Sequence, residues 1–83
     1  MEIAVAFGKV IRRLRKSAGL TQEELGLDAD LRRTFVSVLE LGQQQPTLTT
    51  VIKLSKPLGV SAAEIVAQVE QALGKAEISE RSV

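Results

Sequence analysis

Residues 20–46, LTQEELGLDADLRRTFVSVLELGQQQP, constrain the fold more than any other part of this chain. Thr21 and Glu24 form a T-x-x-E capping box, which predicts that a helix begins directly after Thr21. A second helix is predicted over residues 32–41, because Gly42 follows it as a stop signal. The segment between the two helices is short, so they must meet at a steep angle.

The connection between these helices is predicted as a turn over residues 28–31. Asp30 suits such a turn because Asp adopts left-handed backbone more readily than most residues other than glycine. Gly26 lies inside the first of the two helices, where glycine costs about 1 kcal/mol relative to alanine. A glycine kept at that cost indicates that another helix approaches closely there.

The remaining helices follow from apolar spacing and capping residues. A first helix is predicted over residues 3–18, a fourth after the cap Thr47, and a fifth after a second S-x-x-E box at Ser61 and Glu64. The residues expected to face inward on the last two helices are Leu48, Val51, Ile52, Leu54, Leu58, Ile65, Val66, Val69 and Leu73. Pro57 is expected to end the fourth helix early or to kink it. The domain is predicted to span residues 1–73, with 74–83 as a flexible polar tail.

Composition excludes several kinds of site. The 83-residue chain has no Cys, His, Trp or Tyr, so disulfides, Cys/His metal sites and histidine acid–base chemistry are excluded. No metal, cofactor or small-molecule ligand is expected, and no enzymatic activity. Glu23 and Glu24 cannot act together as a carboxylate pair, since neighbouring residues on a helix diverge by about 100°. The N-terminus lacks the features of a signal peptide and nothing is long enough to span a membrane, so a cytoplasmic protein is expected.

Charge is distributed unevenly although the net charge is only +1. Residues 12–16, RRLRK, hold four cations, and Arg32 and Arg33 add two more. A moderate net charge is compatible with nucleic-acid binding when only one face meets the phosphates. Two short helices at a steep angle can place one of them in the major groove of DNA.

Five short motifs lie along the chain at a fixed spacing, namely Gln22-Glu23-Glu24-Leu25, Ala29-x-Leu31, Ser37-x-Leu39-Glu40-x-Gly42, Pro46-Thr47 and Leu58-Gly59-Val60. In these motifs and their spacing, the chain resembles the phage-repressor/Cro family of helix-turn-helix DNA-binding proteins. Residues 33–37, RTFVS, further resemble the start of the recognition helix in controller proteins of restriction–modification systems. The resemblance implies an all-α, compact five-helix domain with the helix-turn-helix at helices two and three.

The resemblance also implies roles for individual residues. Gln22 matches a position that contacts phosphate, and Arg15 and Glu40 match an ion pair that bridges helix one to helix three. Positions that face base edges or the neighbouring backbone are matched by Arg32, Arg33, Thr34, Ser37, Val38, Gln43 and Gln44. Arg33 can donate two hydrogen bonds to guanine, and Thr34 offers both a hydroxyl and a methyl group.

Three departures from the family pattern affect base specificity more than the fold. Asp30 replaces the usual turn glycine and brings a negative charge near the recognition helix. Val38 and Leu41 are apolar where relatives often carry polar groups. Residues 43–45 are glutamines where relatives often carry Lys or Arg, so fewer counterions would be released and a shallow salt dependence is expected.

Two functions remain open from the sequence. The first is a homodimeric transcriptional regulator, a repressor or an activator, that binds a palindromic operator in double-stranded DNA. The surface expected to join its two copies consists of Val51, Leu58, Val60, Ile65 and Val69, although the same residues could instead close the core of the protomer. The second function is an antitoxin or adaptor that uses this fold mainly to bind a protein partner, with Val38 and Leu41 exposed for that contact.

Overall fold

A computed structural model describes residues 1–80, with side chains described as far as Gly74. This part of the chain folds into five helices and no strand, which confirms the predicted fold class. The helices are α1 (Ile3–Ser17), α2 (Gln22–Ala29), α3 (Arg33–Glu40), α4 (Leu48–Leu58) and α5 (Ala62–Glu80). α1 packs against both α3 and α5, α2 packs against α3 and α4, and α4 packs against α5.

The core is made of aliphatic side chains and one phenylalanine, contributed by all five helices. Its members are Ala6, Phe7, Val10, Ile11, Leu25, Ala29, Val36, Leu39, Val51, Leu54, Leu58, Ile65 and Val69. Burial of such side chains is the main favourable contribution to folding, at about 25 cal/mol per Å² of apolar surface. The short α2 and α3 therefore depend on packing more than on their own helical propensity.

The start of α2 has the capping box that the sequence predicts. The Thr21 hydroxyl accepts from the Glu24 amide at 3.0 Å, and the Glu24 carboxylate accepts from the Thr21 amide at 2.9 Å. The helix ends at Asp30, whose φ of 57° and ψ of 48° are left-handed. The Leu31 amide then donates to the Gly26 carbonyl at 2.8 Å, which closes the turn. α2 thus extends to Ala29, two residues into the predicted turn of residues 28–31.

Gly26 provides the space in which α2 and α3 meet. A Cβ atom on Gly26 would lie only 2.7 Å from the Leu31 carbonyl oxygen and 3.4 Å from the Arg33 amide nitrogen. The predicted close approach is therefore confirmed, and its partner is the backbone at the beginning of α3. This contact fixes the angle between the two helices of the helix-turn-helix.

α4 differs from the sequence prediction in two ways. Pro57 lies within the helix, which continues to Leu58 and ends at the left-handed Gly59 instead of stopping early. Loss of one backbone donor is tolerated because Leu54 and Leu58 anchor this last turn in the core. Leu48 and Ile52, expected to face inward, are exposed, since the buried face of α4 is formed by Thr50, Val51, Leu54 and Leu58.

α5 begins with half of the predicted capping box. The Ser61 hydroxyl accepts from the Glu64 amide at 3.0 Å, whereas the Glu64 carboxylate accepts from the Gln68 side chain at 3.0 Å. The helix is described as far as Glu80, and residues 81–83 of the predicted tail lie outside the described part. Val66, expected to face inward, is 45% exposed.

Candidate nucleic-acid interface

The outer face of α3 presents the residues that the sequence assigns to base contact. Arg33 and Thr34 are exposed, and Ser37 and Val38 are half-buried. The opposite face is fixed in the core by Val36 and Leu39, whose side chains are fully buried. The eight-residue helix is therefore held from behind, while its outer face offers a guanidinium, two hydroxyls and an apolar side chain, with no acid among them.

The N-terminus of α3 lacks a side-chain cap. Arg32 occupies the cap position with extended backbone, and its side chain makes no capping hydrogen bond. Arg32 is exposed, as is Arg33 beside it. Both guanidinium groups are thus placed at the end of the helix where backbone N–H groups already favour an anion.

An ion pair ties the end of α3 to α1. The Arg15 Nε atom donates to Glu40 Oε2 at 2.6 Å, and Arg15 Nη2 donates to Glu40 Oε1 at 3.0 Å. The side chains of Arg15 and Glu40 are only 12% and 4% exposed. The hydrogen bond to Glu40 raises the pKa of Arg15 above its usual value, although burial opposes this. An arginine guanidinium stays protonated in proteins, so Arg15 contributes a positive charge to this contact.

Two further hydrogen bonds extend this pair to the beginning of α2. Arg15 Nη1 donates to the Leu20 carbonyl at 2.9 Å, and Gln22 Nε2 donates to Glu40 Oε1 at 3.1 Å. Sequence reasoning missed the contact of Gln22 with Glu40, which are 18 positions apart. The angle at which α2 packs against α3 brings these two side chains together. A cleft lined by Arg15, Thr21, Gln22, Glu23 and Arg33 opens beside this network.

The loop after α3 is positioned by Gly42. Gly42 has a φ of 71°, and a Cβ atom there would lie 2.9 Å from the Cα of Val5 in α1. The Gln43 amide donates to the Val38 carbonyl at 3.1 Å, so the loop leaves α3 in a defined direction. Gln43 and Gln44 are exposed, which leaves their amide groups accessible to a ligand.

Four of the five residues assigned to the dimer surface lie in the core of the protomer. Val51, Leu58, Ile65 and Val69 are buried, and Val60 is half-buried against the core. Their side chains have little surface left for a second chain. Among the residues of these two helices whose side chains the structure describes, Leu48, Ile52 and Val66 are the large apolar ones that are exposed.

The described residues contain neither a candidate metal site nor a candidate membrane-spanning helix. No group of three or more Asp or Glu side chains within them is arranged to hold a metal ion. None of the described helices is long and apolar enough to cross a membrane. Asp30 is near the start of α3, and its carboxylate lies 3.8 Å from Lys53 Nζ, an exposed surface pair of the kind that contributes little to stability.

Two short helices joined by a tight turn, with a polar outer face on the second, define a helix-turn-helix protein. Comparison with known proteins agrees, because a helix-turn-helix family model matches residues 11–65. The chain belongs to this helix-turn-helix family, and the resemblance inferred from the sequence is confirmed.

Several relatives are regulators of transcription or of restriction–modification systems. An uncharacterized HTH-type transcriptional regulator of Sinorhizobium fredii is 35% identical over 71 residues, covering 86% of this chain and 92% of its own. Control protein C.BamHI of Bacillus amyloliquefaciens is 35% identical over 65 residues, covering 77% of this chain and 80% of its own. These similarities support a role in DNA-binding regulation.

Solved structures show the same fold. The restriction–modification controller protein C.AhdI from Aeromonas hydrophila superimposes with a TM-score of 0.72 at 35% identity, covering 75% of this chain and 94% of its own. The clp gene regulator ClgR from Corynebacterium glutamicum superimposes with a TM-score of 0.87, covering 96% of this chain and 85% of its own. At 21% identity, the second likeness concerns the fold alone.

Proposed function

We propose that this protein is a cytoplasmic, sequence-specific regulator of transcription. It binds an operator in double-stranded DNA with α3 in the major groove. The observation that carries the proposal is the outer face of α3, which combines Arg33, Thr34, Ser37 and Val38 on a helix fixed by two buried side chains. A rigid helix with polar groups of this kind fits the pattern of donors and acceptors on base edges. Membership of the helix-turn-helix family supports the same assignment.

Each contact then has a distinct chemical role. Arg33 donates two hydrogen bonds to the O6 and N7 atoms of a guanine, and Val38 packs on a thymine methyl group. Gln22 at the start of α2, and Gln43 and Gln44 after α3, donate to backbone phosphates. Base contacts select the sequence, whereas phosphate contacts fix the register of the protein on the duplex.

Selection of bound duplexes from a random DNA library at near-physiological salt tests this function. A palindrome with half-sites about 10 base pairs apart, or a multiple of that, is the expected result. Recovery of no motif, with only weak salt-sensitive binding, would contradict the proposal and favour an antitoxin or adaptor. Leu41, which is 64% exposed beside the outer face of α3, would then become the first candidate for contact with a protein.

Arg33→Ala is expected to lower the affinity for the selected operator by about 1–3 kcal/mol and to relax specificity at one base pair. The substitution removes a bidentate donor but no core contact, since Arg33 is exposed. Fluorescence anisotropy with the operator and with single-base variants measures both effects. Arg12→Ala, which removes an equally exposed cation from α1, is the matched control and should preserve the base preference. An unchanged base preference in the Arg33→Ala variant would contradict a role for Arg33 in base recognition.

The proposed dimer forms through the outer faces of α4 and α5. These helices pack against each other, and each carries exposed apolar side chains, Leu48 and Ile52 on α4 and Val66 on α5. A domain of this size buries only about 60–65% of its unfolded surface, so association with a second copy adds to the stability of a small core. A two-fold interface also matches the symmetry of a palindromic operator.

Ile52→Asp is expected to raise the dimer dissociation constant by roughly tenfold or more. Each two-fold interface contains the residue twice, and the protomer should still fold because Ile52 is 54% exposed. Sedimentation equilibrium over a concentration series measures the change. Leu27→Asp, at an exposed apolar position of α2, serves as the control and should leave association unaltered. Equal association constants for wild type and Ile52→Asp would place the interface elsewhere.

A further inference from the structure

We propose that Glu40 is a positioning residue for DNA binding, which holds the side-chain amide of Gln22 in place for a backbone phosphate. This inference rests on the proposed function and assigns to Glu40 a role beyond joining α1 to α3. Glu40 Oε1 accepts both from Arg15 Nη2 at 3.0 Å and from Gln22 Nε2 at 3.1 Å. One carboxylate at the end of α3 thereby determines where the first side chain of α2 lies.

The amide of Gln22 keeps a donor after this contact. A glutamine amide nitrogen carries two N–H groups, and Glu40 uses one of them. The second N–H remains for an acceptor in the cleft that Gln22 lines with Arg15 and Arg33. Gln22 is half-buried, in contrast to the exposed Gln43 and Gln44 of the loop. Less side-chain entropy is then lost when Gln22 binds phosphate, because the side chain is already ordered.

A carboxylate close to a DNA phosphate would repel it unless its charge is neutralised. Arg15 provides that neutralisation through two hydrogen bonds to Glu40, at 2.6 and 3.0 Å. A bidentate pair of this geometry also fixes the plane of the carboxylate. Glu40 therefore offers Gln22 a rigid acceptor without presenting a net negative charge to the DNA.

The test measures how strongly binding depends on each single DNA phosphate, in the wild type and in variants of Gln22, Arg15 and Glu40. Duplexes carrying the selected operator are prepared with one neutral methylphosphonate at each backbone position in turn. For the wild type, we expect one position in each half-site at which neutralisation lowers affinity by about tenfold, the size of one hydrogen bond to a charged group. Gln22→Ala should lose that dependence, and the double variant Arg15→Met/Glu40→Leu should lose it as well, with the dependence at other phosphates retained.

The double variant replaces both charges at once, because such exchanges of a buried pair for apolar residues are often neutral for stability. A purely structural role for Glu40 predicts a uniform loss of binding, or none, with the phosphate pattern unchanged. Adding Gln22→Ala to the double variant should have no further effect on affinity. Gln71→Ala, at an exposed position of α5, is the matched glutamine control.

A measurement on the wild type keeps the inference testable if the double variant does not fold. In the free protein, NMR relaxation should show that the Gln22 side-chain amide is ordered, whereas the amides of residues 43–45 move freely. A Gln22 amide as mobile as those of the loop would overturn the inference, and so would a folded double variant with the wild-type phosphate pattern. Failure to select any operator would instead contradict the proposed function itself.

Discussion

Glu40→Ala is expected to lower the free energy of unfolding by about 3–5 kcal/mol, because it leaves the buried charge of Arg15 without a partner. The Arg15 side chain is only 12% exposed and donates to Glu40 at 2.6 and 3.0 Å. An arginine guanidinium does not lose its proton in proteins, so Arg15 cannot escape this penalty by becoming neutral. The free energy of unfolding of a natural domain is only about 5–15 kcal/mol in total, so this loss would remove a large part of the stability of the protein.

Denaturation by urea, followed by circular dichroism, measures this loss. Glu64→Ala is the matched control, since Glu64 is exposed on α5 and its removal should change stability by about 0.5 kcal/mol or less. A loss in Glu40→Ala no larger than in Glu64→Ala would mean that the Arg15–Glu40 pair does not hold α1 and α3 together.

Gly8→Ala should destabilise the protein by about 1–3 kcal/mol or more, although alanine favours helices. Gly8 is buried in α1, where the backbone at the end of α3 approaches it directly. A Cβ atom at this position would lie 2.7 Å from the Glu40 carbonyl oxygen and closer still to that of Leu39. Neither carbonyl can rotate away as a side chain would, so α1 and α3 must separate, and the Arg15–Glu40 contacts must lengthen.

Gly74→Ala tests the same substitution without the obstruction. Gly74 also lies in a helix, and a Cβ atom there would meet nothing within 4 Å. The added methyl group should therefore stabilise α5 by up to about 1 kcal/mol. Thermal unfolding of both variants measures the contrast, and a stabilised Gly8→Ala protein would contradict the close approach of α1 and α3.

Local signals in the sequence predicted the helix-turn-helix well. The capping box of Thr21 and Glu24 and the turn at Asp30 depend on residues close in the chain, so they can be recognised without the structure. The same holds for Gly26, whose cost within a helix indicated a close contact before its partner was known.

Apolar patterns were less informative on α4 and α5. Both the core and an interface between copies require apolar side chains at helical spacing, so the sequence does not separate them. Val51 and Ile52 are neighbours with the same chemistry, yet Val51 is buried and Ile52 is exposed.

The contact of Gln22 with Glu40 could not be predicted because it depends on tertiary geometry. Each residue had a separate role by resemblance, and nothing local connects the start of α2 to the end of α3. The 3.1 Å hydrogen bond exists only once Gly26 sets the angle between the two helices.

The inner and outer faces of α3 have different roles, and this difference decides which of its residues can change without loss of the fold. The inner residues Val36 and Leu39, with Glu40 at the end of the helix, hold it in the fold, while Arg33 and Thr34 face solvent. Changes on the outer face therefore carry little cost in stability, commonly within about 0.5 kcal/mol for surface positions. Exchange of a few outward residues can therefore change the chemistry that α3 presents, while the scaffold behind it stays the same.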